Sequence, residues 1–207
     1  MSDLDRQTHW EHVYATKDEQ KLSWFQDAPA LSLDLIRATG VSSRASIVEI
    51  GGGASRLPDV LLDAGFGDIT VLDLSDSALA IARARLGARG LKVKWTVADV
   101  TTWRPPQTYD VWHDRAAFHF LTDPQDRAAY AARVAQAVAV GGHVIIGTFA
   151  PDGPERCSGL PVVRHDATSI SRTLGRGFDV IESRTHDHVT PGGTIQRFQF
   201  SRLRRMA

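Results

Sequence analysis

The sequence predicts an α/β fold built on a mostly parallel sheet. Short apolar runs typical of strands alternate with helical patterns from Ser46 onward, and this alternation is typical of βαβ units. A glycine turn, Gly51 to Gly53, joins the first of these runs to the helical pattern after it. The chain has 207 residues, 43% of them hydrophobic and 23% charged, which fits one globular domain.

Five strands are predicted before residue 150, and three of them end at an acidic residue. The predicted strands are Ser46–Ile50, Ile69–Leu72, Val93–Val97, Tyr109–His113 and His143–Phe149. Asp73, Asp99 and Asp114 mark the ends of the second, third and fourth strands. Because the carboxyl ends of parallel strands meet at one edge of the sheet, we expect these acids around one site.

Caps and glycines predict the bounds of the helices. Ser75 or Asp76 caps the helix after the second strand. Asp123 caps the longest helix, whose stripe of Ala131, Val134, Ala135 and Val138 is expected to run up to the pair Gly141 and Gly142. Two more helices are predicted ahead of the sheet, one over residues 4–15 and one opened by Asp27 and Pro29.

The last quarter of the sequence predicts a different local structure. Prolines and glycines from Pro151 to Pro161 indicate a long irregular loop, and a short helix is expected over residues 168–174. Two strands, residues 178–186 and 195–200, flank a Thr-Pro-Gly-Gly turn and predict an antiparallel hairpin. The four arginines between Arg197 and Arg205 are expected to form a solvated end.

The glycine turn and its acidic neighbours predict a nucleoside-containing cofactor. Glycines between a strand and a helix let the backbone approach a ligand, and Asp73 at the end of the next strand can accept both hydroxyls of a ribose. A dinucleotide fold prefers a third glycine where this sequence has Arg56. Glu49, two residues before Gly51, suits a cationic cofactor better than a pyrophosphate, although a nicotinamide-dependent oxidoreductase remains an alternative.

Four motifs in order resemble those of the class I S-adenosylmethionine-dependent methyltransferases. The first, [D/E]-x-G-x-G-x-[G/S], covers Glu49 to Ser55, and the others centre on Asp73, Asp99 and Asp114. The resemblance implies a Rossmann-like fold with a seven-stranded, mostly parallel sheet of order 3-2-1-4-5-7-6 and helices on both faces. It also implies S-adenosylmethionine as the cofactor. The cofactor-binding residues that it implies are Glu49, Gly51, Gly53, Ser55, Arg56, Asp73, Leu74, Asp99, Val100, Asp114 and Trp24.

The resemblance extends to two groups with different methyl acceptors. The stretches Trp10 to Tyr14 and Leu22 to Phe25 are similar to the head of both groups, the methyltransferase-like protein-lysine methyltransferases and the thiopurine S-methyltransferase-like enzymes. The run from His113 to Ala117 is closer to the thiopurine S-methyltransferase-like enzymes. The acceptor is therefore expected to be a small thiol-like or amine nucleophile or a protein lysine, with Asp114 and His119 as candidate catalytic residues. A protein that binds S-adenosylmethionine without catalysis is a further alternative.

The chain is expected to be a single methyltransferase domain, residues 1–207. Residues 1–40 form an N-terminal helical lid, residues 45–150 the cofactor-binding core, and residues 151–207 a substrate-side loop and the C-terminal hairpin. Balanced charge, 24 basic against 24 acidic residues, disfavours a nucleic-acid partner. No apolar run predicts a membrane span or signal peptide, so a cytoplasmic monomer or homodimer is expected. No metal site is predicted, and Cys157 is a candidate pocket residue.

Overall fold

The computed structural model describes residues 3–207, with side chains from Asp5 onward, and contains a seven-stranded sheet. The helices are α1 (Asp3–Thr16), α2 (Ala30–Arg37), α3 (Leu57–Asp63), α4 (Asp76–Leu86), α5 (Pro124–Ala137) and α6 (Ala167–Leu174). The strands of the main sheet are β1 (Ser46–Ile50), β2 (Asp68–Asp73), β3 (Val93–Val97), β4 (Tyr109–Arg115), β5 (Val138–Phe149), β8 (Phe178–Val189) and β9 (Ile195–Arg205). Two short strands, β6 (Arg156–Cys157) and β7 (Leu160–Pro161), form a separate hairpin.

The strand order is β3-β2-β1-β4-β5-β9-β8, which confirms the predicted 3-2-1-4-5-7-6 arrangement, since β8 and β9 are its sixth and seventh strands. Strands β1 to β5 are parallel, and β9 runs antiparallel between β5 and β8. The sheet order changes direction at β1 and β4. The carboxyl ends of these two strands therefore flank the crevice where ligands bind in open α/β sheets.

Helices cover both faces of the sheet because side chains alternate along its strands. On one face, Val48 and Trp112 join a core that also contains Tyr130 of α5 and Ile170 of α6. On the other face, the residues of β1, β2 and β4 pack against α2, α3 and α4. The predicted caps Ser75 and Asp123 accept hydrogen bonds at the starts of α4 and α5.

The helix α5 ends earlier than the sequence predicts. It stops at Ala137, and Val138 already begins β5, so the pair Gly141 and Gly142 lies inside the strand. The registers of β4 and β5 shift between Tyr109 and Val111 at this point. The predicted stripe is also wrong at Ala135, which is exposed. The buried residues of α5 are Tyr130, Val134 and Ala137.

The C-terminal arginines belong to the last strand of the sheet, and of the four only Arg197 and Arg204 are exposed, so the predicted solvated end is correct only in part. Strand β9 continues to Arg205, and Arg197 forms ion pairs with Asp187 and Asp152 at 2.8 and 3.0 Å. Arg202 pairs with Glu182 of β8. These side chains tie the final strand to its neighbours. Within the described part of the chain, no helix is both long enough and apolar enough to cross a membrane.

Candidate functional site

Two adjoining cavities lie at the carboxyl edge of the sheet, above β1, β2 and β4. Both are lined by Tyr14, Trp24, Gly51 and Arg115. The first cavity contains the predicted residues Asp73, Leu74, Asp99 and Val100. The second cavity contains the predicted residues Glu49, Ser55 and Arg56. Together with Trp24 and Gly51, these seven residues make nine of the eleven predicted cofactor-binding residues that line the crevice. The other two, Gly53 and Asp114, line neither cavity.

The glycine turn leaves no room for side chains. Gly51 and Gly53 have φ values of +63° and +44°, which glycine adopts most readily. A Cβ on Gly52 would lie 2.5 Å from Val71 and 2.9 Å from Oε2 of Glu49. A Cβ on Gly53 would lie 2.9 Å from the Tyr14 hydroxyl and 3.1 Å from Oδ2 of Asp73. Gly53 itself does not line either of the two cavities described above.

Glu49 is a buried carboxyl group at the end of β1. It is only 3% exposed, and burial raises its pKa to about 7, although a hydrogen bond with Ser55 acts in the opposite direction. Among the described residues, its Oε2 atom has no hydrogen-bond partner. A buried carboxylate with a free oxygen is costly unless a cationic ligand group reaches it.

Asp73 occupies the equivalent place at the end of β2. Its Oδ1 accepts a hydrogen bond from the backbone N–H of Ser75 at 2.8 Å, while Oδ2 faces the space above Gly53. Burial raises the pKa of Asp73 to about 6. The carboxylate is thus held by its own turn and keeps acceptor capacity for a ligand hydroxyl.

Both carboxylate oxygens of Asp99 accept hydrogen bonds from the protein itself, which the sequence does not reveal. Oδ1 accepts hydrogen bonds from the N–H and the hydroxyl of Thr101, at 2.7 and 2.6 Å. Oδ2 accepts one from Arg6 of α1 at 2.8 Å, and the other side of that guanidinium pairs with Asp126. Asp99 lines the first cavity, but its carboxylate also fastens α1 to the sheet.

Aromatic side chains from α1 and the segment after it cover the crevice. The Trp24 ring N–H donates to the Tyr14 hydroxyl at 3.2 Å. The Trp10 ring lies 5.7 Å from the Trp24 ring and 5.0 Å from the Phe120 ring, both in edge-to-face arrangements. Glu11 accepts a hydrogen bond from the Asp76 N–H at the start of α4. These contacts hold α1 over the edge of the sheet.

Asp114 does not lie in either cavity, so the structure gives no support for a catalytic or cofactor-binding role. It is fully buried, and its Oδ1 accepts hydrogen bonds from the backbone N–H groups of Ala117 and Phe118. Oδ2 accepts one from the Tyr130 hydroxyl at 2.8 Å. Burial raises the pKa of Asp114 to about 6. The carboxyl group fixes the turn after β4 and ties it to α5.

His119 also lies behind the cavity wall. It is fully buried against Phe120 and Phe149, and its Nδ1 accepts a long hydrogen bond of 3.4 Å from the Phe149 N–H. Burial lowers the pKa of His119 to about 3, so the ring is a weak base. The structure therefore does not place His119 where it could accept a proton from a ligand in the crevice.

The first cavity is also lined by residues that the sequence did not assign to the cofactor, among them Arg115, Cys157 and Phe198. Arg115 donates to the Trp24 carbonyl at 2.9 Å and lies over the Phe198 ring, while its Nη2 has no hydrogen-bond partner among the described residues. Burial raises the pKa of the Cys157 thiol to about 12. Arg115 follows directly on the fourth motif, but nothing in the sequence indicates that β9 would bring Phe198 here.

The two histidines of β8 do not form a metal site with a third ligand. His188 is buried and lies 2.7 Å from the Ser23 carbonyl, to which its Nε2–H can donate, so it links the hairpin to the segment before α2. No group of three or more potential metal ligands occurs among the residues that the structure describes.

The strand order is that of a Rossmann-like fold. In such folds, nucleoside-containing cofactors bind in the crevice at the carboxyl ends of strands such as β1 and β4. Residues 47–142 match the family model of the methyltransferase domain. This match covers just under half of the chain and indicates an S-adenosylmethionine-dependent methyltransferase domain.

Known proteins with a similar sequence or fold use different acceptors. The eEF1A lysine and N-terminal methyltransferase of Danio rerio is 24% identical over 148 residues, which are 70% of this chain but 21% of that protein. The chain thus spans about a fifth of that relative. The Burkholderia thailandensis 1,6-didemethyltoxoflavin-N1-methyltransferase, solved with 1,6-didemethyltoxoflavin and S-adenosylhomocysteine, has a TM-score of 0.70 at 18% identity, with 99% of this chain and 85% of that one covered.

A further structure comes from work on the conversion of a disulfide bond into a thioacetal group during echinomycin biosynthesis. It has a TM-score of 0.73 at 20% identity and covers 95% of this chain and 90% of that one. At such identities the likeness of the two structures concerns the fold alone.

Proposed function

We propose that the protein transfers a methyl group from S-adenosylmethionine to a small molecule with a nucleophilic nitrogen or sulfur. The observation that carries this proposal is the shape of the crevice. Polar groups of β1 and β2 line one side of it, and aromatic rings enclose the other. Such an enclosed, largely apolar cavity with few polar groups suits a small ligand.

The residues of the crevice fit the cofactor. The free Oε2 of Glu49 offers a partner to an ammonium group, and Asp73 offers an acceptor to ribose hydroxyls. The glycine turn allows close approach of the ligand to the backbone. The cofactor supplies a methyl group on a positively charged sulfur, and the faces of Tyr14 and Trp24 are suited to stabilise such a cation.

Positioning and exclusion of water account for most of the catalysis that we propose. In-line displacement requires the acceptor atom to be held against the methyl group, and the rings of Trp10, Trp24, Phe120 and Phe198 provide flat surfaces for this. Asp114 and His119 lie outside the cavity, so neither is placed to take a proton from the acceptor. We therefore expect an acceptor atom that is reactive without a base, such as a neutral amine or a thiolate.

A protein lysine is the second candidate acceptor. The Danio rerio relative is named as an eEF1A lysine and N-terminal methyltransferase, and this name favours a protein lysine as the acceptor. Against a lysine acceptor, Trp10 and Tyr14 of α1 and Trp24 after it cover the crevice, and a peptide would have to pass them. The methyltransferase named for 1,6-didemethyltoxoflavin has the same fold over 99% of this chain, so the fold admits a small acceptor of that kind.

Transfer of a labelled methyl group distinguishes these acceptors. The protein is incubated with S-adenosylmethionine labelled on its methyl group and with cell lysate split into small-molecule and macromolecular fractions. We expect label in compounds of the small-molecule fraction, and none with the Asp73→Ala variant. Label in one protein band would favour the lysine. Binding of S-adenosylhomocysteine without any label would favour a non-catalytic protein, and binding of NAD(P) in its place an oxidoreductase.

A further inference from the structure

The first cavity extends along the carboxyl edge of the sheet beyond the strands that carry the predicted nucleoside site. Asp73 ends β2 and Asp99 follows β3, whereas Phe198 belongs to β9. Four strand spacings separate β2 from β9, which is about 19 Å at the usual distance between neighbouring strands. The part of the cavity beside β4 and β9 is therefore available to the methyl acceptor. We call this part the acceptor end, and the residues that line it include Arg115, Phe120, Cys157 and Phe198.

Aromatic rings give the acceptor end flat, apolar walls. Phe120 lies 5.0 Å from Trp10, and Phe198 lies 4.8 Å from Phe149, both distances being measured between ring centres. Both pairs pack edge to face, an arrangement that fixes the orientation of the rings. Rigid walls of this kind favour a planar molecule, which can lie against them without a large loss of its own conformational freedom.

Arg115 places a positive charge at this apolar end. Its guanidinium lies 5.3 Å from the centre of the Phe198 ring and donates to the Trp24 carbonyl at 2.9 Å. Burial lowers the pKa of Arg115, but only to about 10, so the group is charged at neutral pH. Its buried Nη2 atom has no hydrogen-bond partner among the described residues. Because a buried charged group is costly without partners, this nitrogen indicates the position of a ligand group.

No acidic side chain forms an ion pair with this guanidinium in the part of the chain that the structure describes. The acids that line the first cavity, Asp73 and Asp99, lie at its other end, beside β2 and β3. Glu49 of the second cavity raises the pKa of Arg115, but no hydrogen bond joins its Oε2 atom to the free nitrogen. Cys157 stays a neutral thiol, since burial raises its pKa to about 12. The acceptor end is therefore positively charged.

We propose that the acceptor is a flat aromatic molecule that carries a carboxylate or another oxyanion, and that Arg115 binds this anionic group. A guanidinium has only donors, and its hydrogen bonds to an oxyanion are charge-assisted and strong. This inference rests on the proposed function, since it names the class of the methyl acceptor in the same crevice. It makes Arg115 a residue that determines specificity. A protonated lysine would instead be repelled by Arg115 and by the positive sulfur of the cofactor.

Three flat probes of similar shape and different charge test this inference. They are 2-naphthoate, 2-naphthamide and 2-naphthylmethylamine, which are anionic, neutral and cationic at neutral pH. Each probe is titrated by calorimetry into protein that is saturated with S-adenosylhomocysteine. We expect wild-type protein to bind 2-naphthoate about tenfold or more tightly than 2-naphthamide, because the anion gains a charge-assisted hydrogen bond. The cation should bind most weakly.

Arg115→Met should remove the preference for the anion. The affinities for 2-naphthoate and 2-naphthamide should then agree within about twofold, while affinity for S-adenosylhomocysteine stays within about threefold of the wild type. Arg115→Lys, which keeps the charge, should retain part of the preference. Arg164→Met is the matched control, since Arg164 pairs with Glu155 at 3.1 Å and lines neither cavity. Comparing two probes on one protein removes any general loss of folded protein from the result.

Methyl transfer to the acceptors of a cell lysate gives a second measurement. Products labelled from S-adenosylmethionine in the small-molecule fraction are applied to an anion exchanger at neutral pH. We expect the exchanger to retain the products of the wild-type protein. Arg115→Met should lose most of this label, even when S-adenosylmethionine saturates the variant, whereas Arg164→Met should keep it.

Each contrary result has its own meaning. If the wild-type protein with bound S-adenosylhomocysteine does not prefer 2-naphthoate, or binds none of the three probes, the anion site is wrong and the proposed methyl transfer stands. If Arg115→Met loses tenfold or more in affinity for S-adenosylhomocysteine, Arg115 serves the cofactor and the inference is wrong. Labelled products that pass through the anion exchanger also contradict it. If the wild-type protein does not bind S-adenosylhomocysteine at all, the proposed function itself fails.

Discussion

The hydroxyl of Tyr14 lies 2.9 Å from the position that a Cβ on Gly53 would occupy. Helix α1 therefore packs directly on the glycine turn of the first motif, with no room for even a methyl group between them. The same turn faces Asp73, so the covering helix, the turn and this acidic side chain meet at one point. Changes at this point should affect cofactor binding more than they affect the fold elsewhere.

Gly53→Ala tests this contact. Its Cβ would press on the Tyr14 hydroxyl and the Asp73 carboxylate, and φ at this position is +44°. We expect affinity for S-adenosylhomocysteine to fall by about tenfold or more, since a misplaced turn costs on the order of 1–3 kcal/mol. Gly67→Ala is the matched control, because nothing lies within 4 Å of its Cβ position. Equal affinities of the two variants would show that the turn tolerates a side chain.

Arg6→Gln should detach α1 from the sheet. The guanidinium of Arg6 is buried and pairs with both Asp99 and Asp126. Its loss leaves Asp99 partly unpaired, so we expect the free energy of unfolding to fall by about 2 kcal/mol in denaturant titration. The exposed pair of Arg83 and Asp76 provides the control, since Arg83→Gln should cost less than about 1 kcal/mol. A change in Arg6→Gln no larger than that of the control would contradict the anchoring role.

Cofactor affinity should depend on pH through Glu49 and Asp73. Burial raises their pKa values to about 7 and about 6, so both carboxylates gain protons as the pH falls from about 8 to about 5.5. A protonated carboxyl loses its attraction for an ammonium group, and affinity for S-adenosylhomocysteine should therefore decrease by about tenfold or more over this range. Calorimetry on Glu49→Gln should show weaker binding at high pH and a smaller pH dependence. An unchanged slope in that variant would assign the effect to other groups.

Tyr130→Phe separates the structural role of Asp114 from a catalytic one. The variant removes the hydrogen bond to Oδ2 of a buried carboxylate and leaves the two backbone donors on Oδ1. We expect the free energy of unfolding to fall by about 1–3 kcal/mol, with affinity for S-adenosylhomocysteine within about twofold of the wild type. A large loss of methyl transfer without a loss of stability would restore Asp114 as a catalytic candidate.

Local patterns in the sequence predict most of this fold. Alternation of apolar runs with helical patterns locates β1 to β4, and the caps Ser75 and Asp123 are confirmed at the starts of α4 and α5. Asp73 and Glu49 follow from strand ends and the glycine turn, which are local features as well. The pair Gly141 and Gly142 misled the prediction because glycine also permits an irregular strand pairing.

Contacts between residues far apart in the sequence determine the roles of Asp99 and Asp114 and the position of Phe198, which the sequence did not reveal. Asp99 pairs with Arg6, 93 positions earlier, and Asp114 with Tyr130 of another helix, so no local pattern predicts how their carboxylates are used. Phe198 enters the cavity wall only because β9 inserts beside β5. A run of arginines in the sequence does not show that two of them, Arg197 and Arg202, have acidic partners on β8.

Binding of the cofactor's nucleoside beside Asp73 is the central feature of the proposed site. Titration of S-adenosylhomocysteine into the wild type, Asp73→Ala and Asp68→Ala tests it, since Asp68 lies at the other end of β2 in an exposed pair with Lys94. We predict that Asp73→Ala loses about 30-fold or more in affinity, because the ribose loses its acceptor, and that Asp68→Ala matches the wild type. Near-equal affinities of all three proteins would contradict the site that we describe.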